Sequence, residues 1–138
     1  DLLVSKITPC FENRKSVIAK GLLSKHGAGT TELHVVRVLN KNYIDMRYLL
    51  WLVKTEKFIQ DGVATFSGTA GQQRVGKTFI ENYLVPLPPL SEQNYIVERI
   101  ESLFTKLDKI KELNTENKNN IDLLNQVVLK EIFESNND

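Results

Sequence analysis

The chain changes its hydrophobic period twice. Its first forty residues carry short apolar runs: Leu2–Ile7 is stopped by Thr8-Pro9, Ser16–Ala19 follows, and Glu32–Leu39 sets His34, Val36 and Val38 against Leu33, Val35 and Arg37. A period of two marks half-buried strands, because successive side chains leave an extended backbone on opposite faces. Between the second and third runs, Gly27-Ala28-Gly29-Thr30-Thr31 reads as a loop. After Asn40-Lys41-Asn42 the period turns helical. Asp45 can cap a helix that carries Met46, Leu49, Leu50, Val53 and Phe58 at helical spacing, and Gly62 offers a stop signal. Gly68–Lys77 reads as a second polar loop, and Tyr83–Leu87 as a last strand ended by Pro88-Pro89.

From Ser91 onward no residue breaks a helix. Ser91 can cap it, and Glu92 and Glu98 place negative charge in the early turns, where the helix dipole favours it. Ile96, Ile100, Leu103, Leu107 and Ile110 step by four and three, and the same register continues through Asn114, Asn117, Ile121, Leu124 and Val128. A helix lying along its own domain drifts off a 3.5-residue period, whereas helices that coil around each other hold it. At ~1.5 Å per residue, Glu92–Glu134 spans about 65 Å, more than a ninety-residue head can cover. The pattern therefore predicts a partner helix, with Asn114 and Asn117 setting register at some cost in stability. A break at Asn117-Lys118-Asn119-Asn120, folding the helix back as a hairpin, is the competing arrangement.

Composition adds bounds. At 138 residues, 41% hydrophobic and 25% charged, the chain reads as a folded domain with an appendage. No apolar run approaches the ~20 residues that span a bilayer, and the first residues do not read as a signal peptide, so no membrane partner is expected. Asp1 is not an initiator Met and Leu2-Leu3-Val4 enters a strand at once, which reads as a chain cut inside a larger protein. Cys10 is the sole cysteine, which excludes an internal disulfide framework and fits a reducing, cytoplasmic setting. The net charge of +1 hides an asymmetry: residues 1–90 carry 12 Lys and Arg against 7 Asp and Glu, and residues 91–138 carry 6 against 10. A basic head and an acidic tail point to two jobs, with any polyanion meeting the head.

Catalytic signatures are missing. No nucleophile elbow, phosphate-binding loop or His-Glu-x-x-His pair occurs, and Cys10 with only His26 and His34 makes a poor zinc set. Gly71 to Gly76 imitates a nucleotide fingerprint without the βαβ unit that would give it meaning. Neither metal nor cofactor is expected, and the chain is read as non-catalytic. What remains are two polar loops. His26-Gly27-Ala28-Gly29-Thr30-Thr31 combines small residues for close approach with donors, and Gln72-Gln73-Arg74-Val75-Gly76-Lys77 offers two amides and two cations. Glutamine pairs with adenine and arginine with guanine in the major groove, while lysine chiefly holds phosphate. Solvated loops whose glycines only serve turns would have the same composition.

Three stretches go further. Gly27-Ala28-Gly29-Thr30-Thr31-Glu32-Leu33-His34-Val35-Val36-Arg37 resembles the Gly-(Ala/Gly)-(Ser/Thr)-Thr-Glu-Phe-x-Val-Leu-Arg stretch of target recognition domains in specificity (S) subunits of Type I restriction–modification systems, with Leu33 replacing the usual aromatic. Gly68-Thr69-Ala70-Gly71-Gln72-Gln73-Arg74-Val75 is similar to that family's polar loop. Val85-Pro86-Leu87-Pro88-Pro89-Leu90-Ser91-Glu92-Gln93, followed by Ile96, Val97 and Ile100, resembles the signature opening its conserved coiled-coil region. The matches span nearly the whole chain, in the family's order.

The resemblance implies two recognition domains per subunit, each reading half of a split double-stranded DNA site. Two conserved helices packed antiparallel would separate them, measure the half-site spacing and dock the modification subunits. Those partners would hold the S-adenosylmethionine chemistry, and restriction subunits the nuclease and translocase.

The expected fold class is thus α+β. A small mixed head of short strands and helices, residues 1–90, forms a target recognition domain lacking its N-terminal part, and one long α-helix, residues 91–138, forms an antiparallel coiled coil. Lys6, Arg14, Lys15 and Lys25 are expected at phosphates. Thr30, Thr31, Gln72, Gln73 and Arg74 are expected at base edges or in the reading loops, with His26 and Lys77 beside them. With one helix present, a second copy is expected to complete the coiled coil as a homodimer. The rivals are a coiled-coil assembly module whose basic head binds a protein, and a recognition domain of a single-chain restriction–methylation enzyme.

Overall fold

The computed structural model describes residues 1–24 and 26–134. It is α+β, as the changing period predicts. Among the described residues three strands, β1 (Leu2–Ser5), β2 (Ser16–Ile18) and β3 (Leu33–Val36), precede four helices, α1 (Met46–Leu52), α2 (Glu56–Val63), α3 (Lys77–Asn82) and α4 (Leu90–Glu134). The chain divides into two compact units, one covering Asp1–Val97 and the other beginning at Glu98.

In the first unit β1 is the central strand, antiparallel to both neighbours in the order β2-β1-β3. Leu2 lies opposite Ile18 and Val36, and Val4 opposite Ser16 and His34. Alternation sends Leu2 and Val4 inward, where they are buried with Phe11, Leu49, Val53, Phe58, Ile59 and Val75. Leu3 opposes Val17 and Val35 on the other face, and those two neighbours are exposed. Aromatic rings join the sheet side to the helices: Phe11 meets Phe58 and Phe66 at 5.9 and 5.7 Å between centroids, and Phe58 meets Tyr83 at 4.8 Å. Edge-on and tilted ring pairs of this kind add roughly 0.5–1.5 kcal/mol each beyond their buried area.

Local chemistry sets boundaries that periodicity alone misplaces. Asp45 caps α1, its carboxylate accepting from the Arg47 backbone N–H at 2.7 Å. The helix expected to run on to Gly62 is instead two helices. Thr55 breaks it, donating from Oγ1 to Leu52 O and accepting from the Phe58 N–H as the α2 cap. Gly62 is no stop signal but a buried residue inside α2, because a Cβ there would fall 2.4 Å from the Phe11 ring. Tyr83–Leu87 joins no sheet. Its one proline, Pro86, cannot donate to a ladder, and the segment is held by the Tyr48 hydroxyl donating to Pro86 O at 2.8 Å. The six residues of α3, which lays Phe79 and Ile80 against the core, are a helix the pattern did not disclose.

The long helix runs through Asn117–Asn120 without a break, against the hairpin alternative. Its first turns are fastened by Gln93, which is fully buried within the Asp1–Val97 unit. Gln93 Oε1 accepts from the Asp45 N–H at 3.0 Å, while Nε2 donates to Tyr43 O and Pro88 O, each at 2.8 Å. A buried amide is tolerated only when satisfied in this way. From Leu103 onward the seam is exposed: Leu103, Leu107, Ile110, Ile121, Leu124 and Val128 all lie open, as do Asn114 and Asn117, while Ile96 and Ile100 are half-buried. Among the described residues no helix is long and apolar enough to cross a membrane.

Candidate nucleic-acid interface

The two polar loops, more than thirty residues apart in sequence, meet at the end of β1. Past Ser5 the strand continues as a spine between them. Lys6 donates its backbone N–H to Glu32 O at 3.1 Å and accepts at its carbonyl from the Val75 N–H at 2.9 Å. The Thr8 N–H then donates to Gln73 O at 2.9 Å. The second loop closes on itself through the reciprocal backbone pair of Ser67 and Arg74, at 3.1 and 2.9 Å. Gly68 and Gly71 turn it with φ of +115° and +82°, a region that side chains disfavour.

Two side-chain ties cross the same seam. Arg74 Nε lies 2.9 Å from Glu32 Oε2 and Nη2 lies 2.8 Å from Oε1, while Nη1 donates to Gln72 O at 2.8 Å. The hydrogen bond from Arg74 holds the Glu32 carboxyl below its ordinary value; partial desolvation opposes this, and the charges of Arg74 and Lys6 add to it. The His34 ring faces Val75 O at 3.0 Å, and since a carbonyl only accepts, Nε2 carries the proton. His34 is thus a paired residue of β3. Glu32 itself is anchored from below, its N–H donating to Thr30 Oγ1 at 3.2 Å.

The structure therefore gathers Lys6, Thr30, Gln72, Gln73 and Arg74 around one junction. Arg74 sits there as a cross-link, with each of its three guanidinium nitrogens already donating. Arg14 faces elsewhere: its guanidinium pairs with Glu56 of α2 and its carbonyl accepts from Lys54 Nζ. Lys77 points along α3 to Glu81 at 2.8 Å, a bond that raises the ammonium's pKa. Lys15 is exposed beside the start of β2, and His26 and Thr31 are exposed in the first loop. Lys25 lies outside the described residues.

Glu32 was not among the expected site residues. It is the sole acid between Glu12 and Asp45, but nothing in the sequence marks it as the partner of Arg74, 42 residues away. Chemically the junction offers amides, hydroxyls and an ammonium in a basic setting, groups suited to hydrogen bonding with base edges and phosphates.

The family model described as "Type I restriction modification DNA specificity domain" matches residues 11–121. The chain is 43% identical over 112 residues to the Type I restriction enzyme EcoAI specificity subunit of Escherichia coli, and 42% identical over 112 residues to the EcoEI specificity subunit of the same organism. Each of these matches covers 81% of this chain and 19% of the relative. The StySPI specificity subunit of Salmonella potsdam is 30% identical over 104 residues, covering 72% of this chain and 22% of its own length. The chain thus spans about a fifth of the length of the curated relatives it matches. No solved structure matches.

Proposed function

The chain belongs to the family of Type I restriction modification DNA specificity domains, and from that premise we propose that its head reads one half-site of a split double-stranded DNA target. The observation that carries this is the junction itself: two loops of base-reading composition, brought side by side by backbone bonds to Lys6 on a basic head. Thr30, Thr31 and the Gln72-Gln73 pair face base edges, and Lys6, Lys15 and Lys25 hold phosphate. Helix α4 sets the distance between half-sites by packing antiparallel against a second helix through its seam. That helix comes from a second copy of this chain, giving a two-fold dimer that reads a palindromic site. The same helix docks the modification subunits, which with the restriction subunits carry the chemistry; this chain supplies address and spacing without catalysis.

Selection of bound oligonucleotides from a random pool tests the reading directly. A single enriched sequence is expected, and Lys15→Ala should weaken binding to every DNA alike while lowering the salt slope by about 1. Affinity that is weak, blind to sequence and lost at modest salt would instead fit a basic head that binds protein. Sedimentation at micromolar concentration should give a dimer, and a monomer would remove the second copy from the proposal.

A further inference from the structure

We infer that Glu32 is a positioning residue for sequence reading: its ion pair with Arg74 sets the placement of the two loops, and Arg74 serves that geometry rather than a base. This rests on the DNA-reading role proposed above.

Three observations converge. Glu32 belongs to the segment entering β3 and Arg74 to the far strand of the second loop, so their pair joins elements that no local turn holds together. The pair is two-pronged, engaging Nε and Nη2 with both carboxylate oxygens, which fixes orientation as well as distance. Both partners are already committed on their other sides, Glu32 through Thr30 Oγ1 and Lys6 N–H, Arg74 through Gln72 O and the Ser67 backbone. For Arg74 to grip guanine it would have to offer its fork to O6 and N7. It would then give up Glu32 and leave a partly covered carboxylate without its cation. The loop gains more from the clasp, which leaves reading to side chains that the clasp orients, Thr30, Thr31 and Gln72.

A cycle of Glu32→Gln, Arg74→Gln and the double variant, with the exchanged pair Glu32→Arg/Arg74→Glu as a fourth form, separates the roles. The quantity read is selectivity, the affinity for the selected oligonucleotide over a scrambled one. Each single change should lower it about tenfold, and the double should be no worse than either, because both remove one coupled interaction. The exchanged pair should recover part of the loss. A base-reading Arg74 predicts otherwise: Arg74→Gln would abolish selectivity, Glu32→Gln would spare it, and the exchanged pair would recover nothing. Amide hydrogen exchange without DNA gives a second readout. Protection at Val75 and Lys6 should fall in Glu32→Gln while thermal unfolding of the chain stays cooperative, and unchanged protection would overturn the clasp. If the native chain selects no sequence at all, the DNA reading falls, and the exchange experiment still decides whether the clasp exists.

Discussion

The head and the long helix solve opposite problems. In the Asp1–Val97 unit apolar groups are spent on each other, Leu2, Val4, Phe11, Phe58 and Val75 being almost fully covered, and polar groups near the junction pair internally. From Glu98 onward the balance is reversed. Leu107 stays 49% exposed and Leu124 63%, on a helix held by its own backbone ladder and by short-range side-chain pairs such as Lys109–Glu112. An isolated helix gains little from propensity alone, so a long exposed seam is stable chiefly when packed. The head buries its apolar groups and presents polar ones; the helix beyond Glu98 leaves apolar ones open. The outer sheet face, with Val17 and Val35 exposed, is the part of the head that behaves as the seam does in the helix.

Gln93 is the sharpest place to test that division, since it lies on α4 yet its hydrogen bonds all stay within the head. Gln93→Leu keeps the volume but strands the Asp45 N–H and the carbonyls of Tyr43 and Pro88. With buried unsatisfied groups costing ~1–3 kcal/mol each, the loss should be about 3 kcal/mol or more. Denaturant unfolding of the native and variant chains measures it. A change below about 1 kcal/mol would mean that water replaces the amide and that Gln93 does not fasten the helix to the head.

A smaller effect contrasts packing in the two regions. Gly62→Ala drives a methyl into the Phe11 ring, 2.4 and 2.6 Å from two of its carbons, and should cost about 1–3 kcal/mol through overpacking. The core has no room for the change, whereas α4 is open at Ser102, which is exposed. Ser102→Ala should be neutral or gain a few tenths of a kcal/mol from helix propensity. Equal responses at both sites, read by thermal or urea unfolding, would erase the distinction between a filled core and an open rod.

These contrasts also account for which elements are legible in the sequence. Strands β1 and β2 are legible as short apolar runs and β3 by its alternation, since each turns one face toward the core, buried in β1 and half-buried in β2 and β3. Helix α4 is legible because apolar residues recurring every seven positions, with no proline or glycine among them, fit a helix and not a strand. The break at Thr55 is harder to see: Met46, Leu49 and Val53 step by three and four, and only the step of five to Phe58 departs from that face where the threonine's two hydrogen bonds end the helix. The six-residue α3 is too short for a period to emerge from Phe79 and Ile80. At the site, loop composition points to Gln72, Gln73, Arg74 and Thr30, and the structure places these residues around one junction. Composition could not reveal that Arg74 is already held by Glu32, because a contact across 42 residues leaves no local pattern. Nor could it reveal that Arg14 turns to Glu56.

The finest test of the comparison is pH, which reaches the head's polar pairs and leaves apolar burial untouched. Glu32 and Asp45 both have carboxyls held below their ordinary values of 4.5 and 3.8. For Glu32 the leading cause is the Arg74 hydrogen bond. For Asp45 burial pulls the other way but is outweighed by the side-chain and backbone hydrogen bonds and the charge of Arg47. A depressed folded pKa means the unfolded chain binds protons first as pH falls. The stability these groups contribute is therefore complete above their ordinary values and is lost as pH drops through the folded ones. Glu32→Gln removes one such group, so the stability gap between native and variant chains should be constant from neutrality down to about pH 5, then shrink in more acid solution. Urea unfolding over that range reads the gap, and a gap that stays constant throughout would mean the Glu32–Arg74 pair adds no charge-dependent stability to the head.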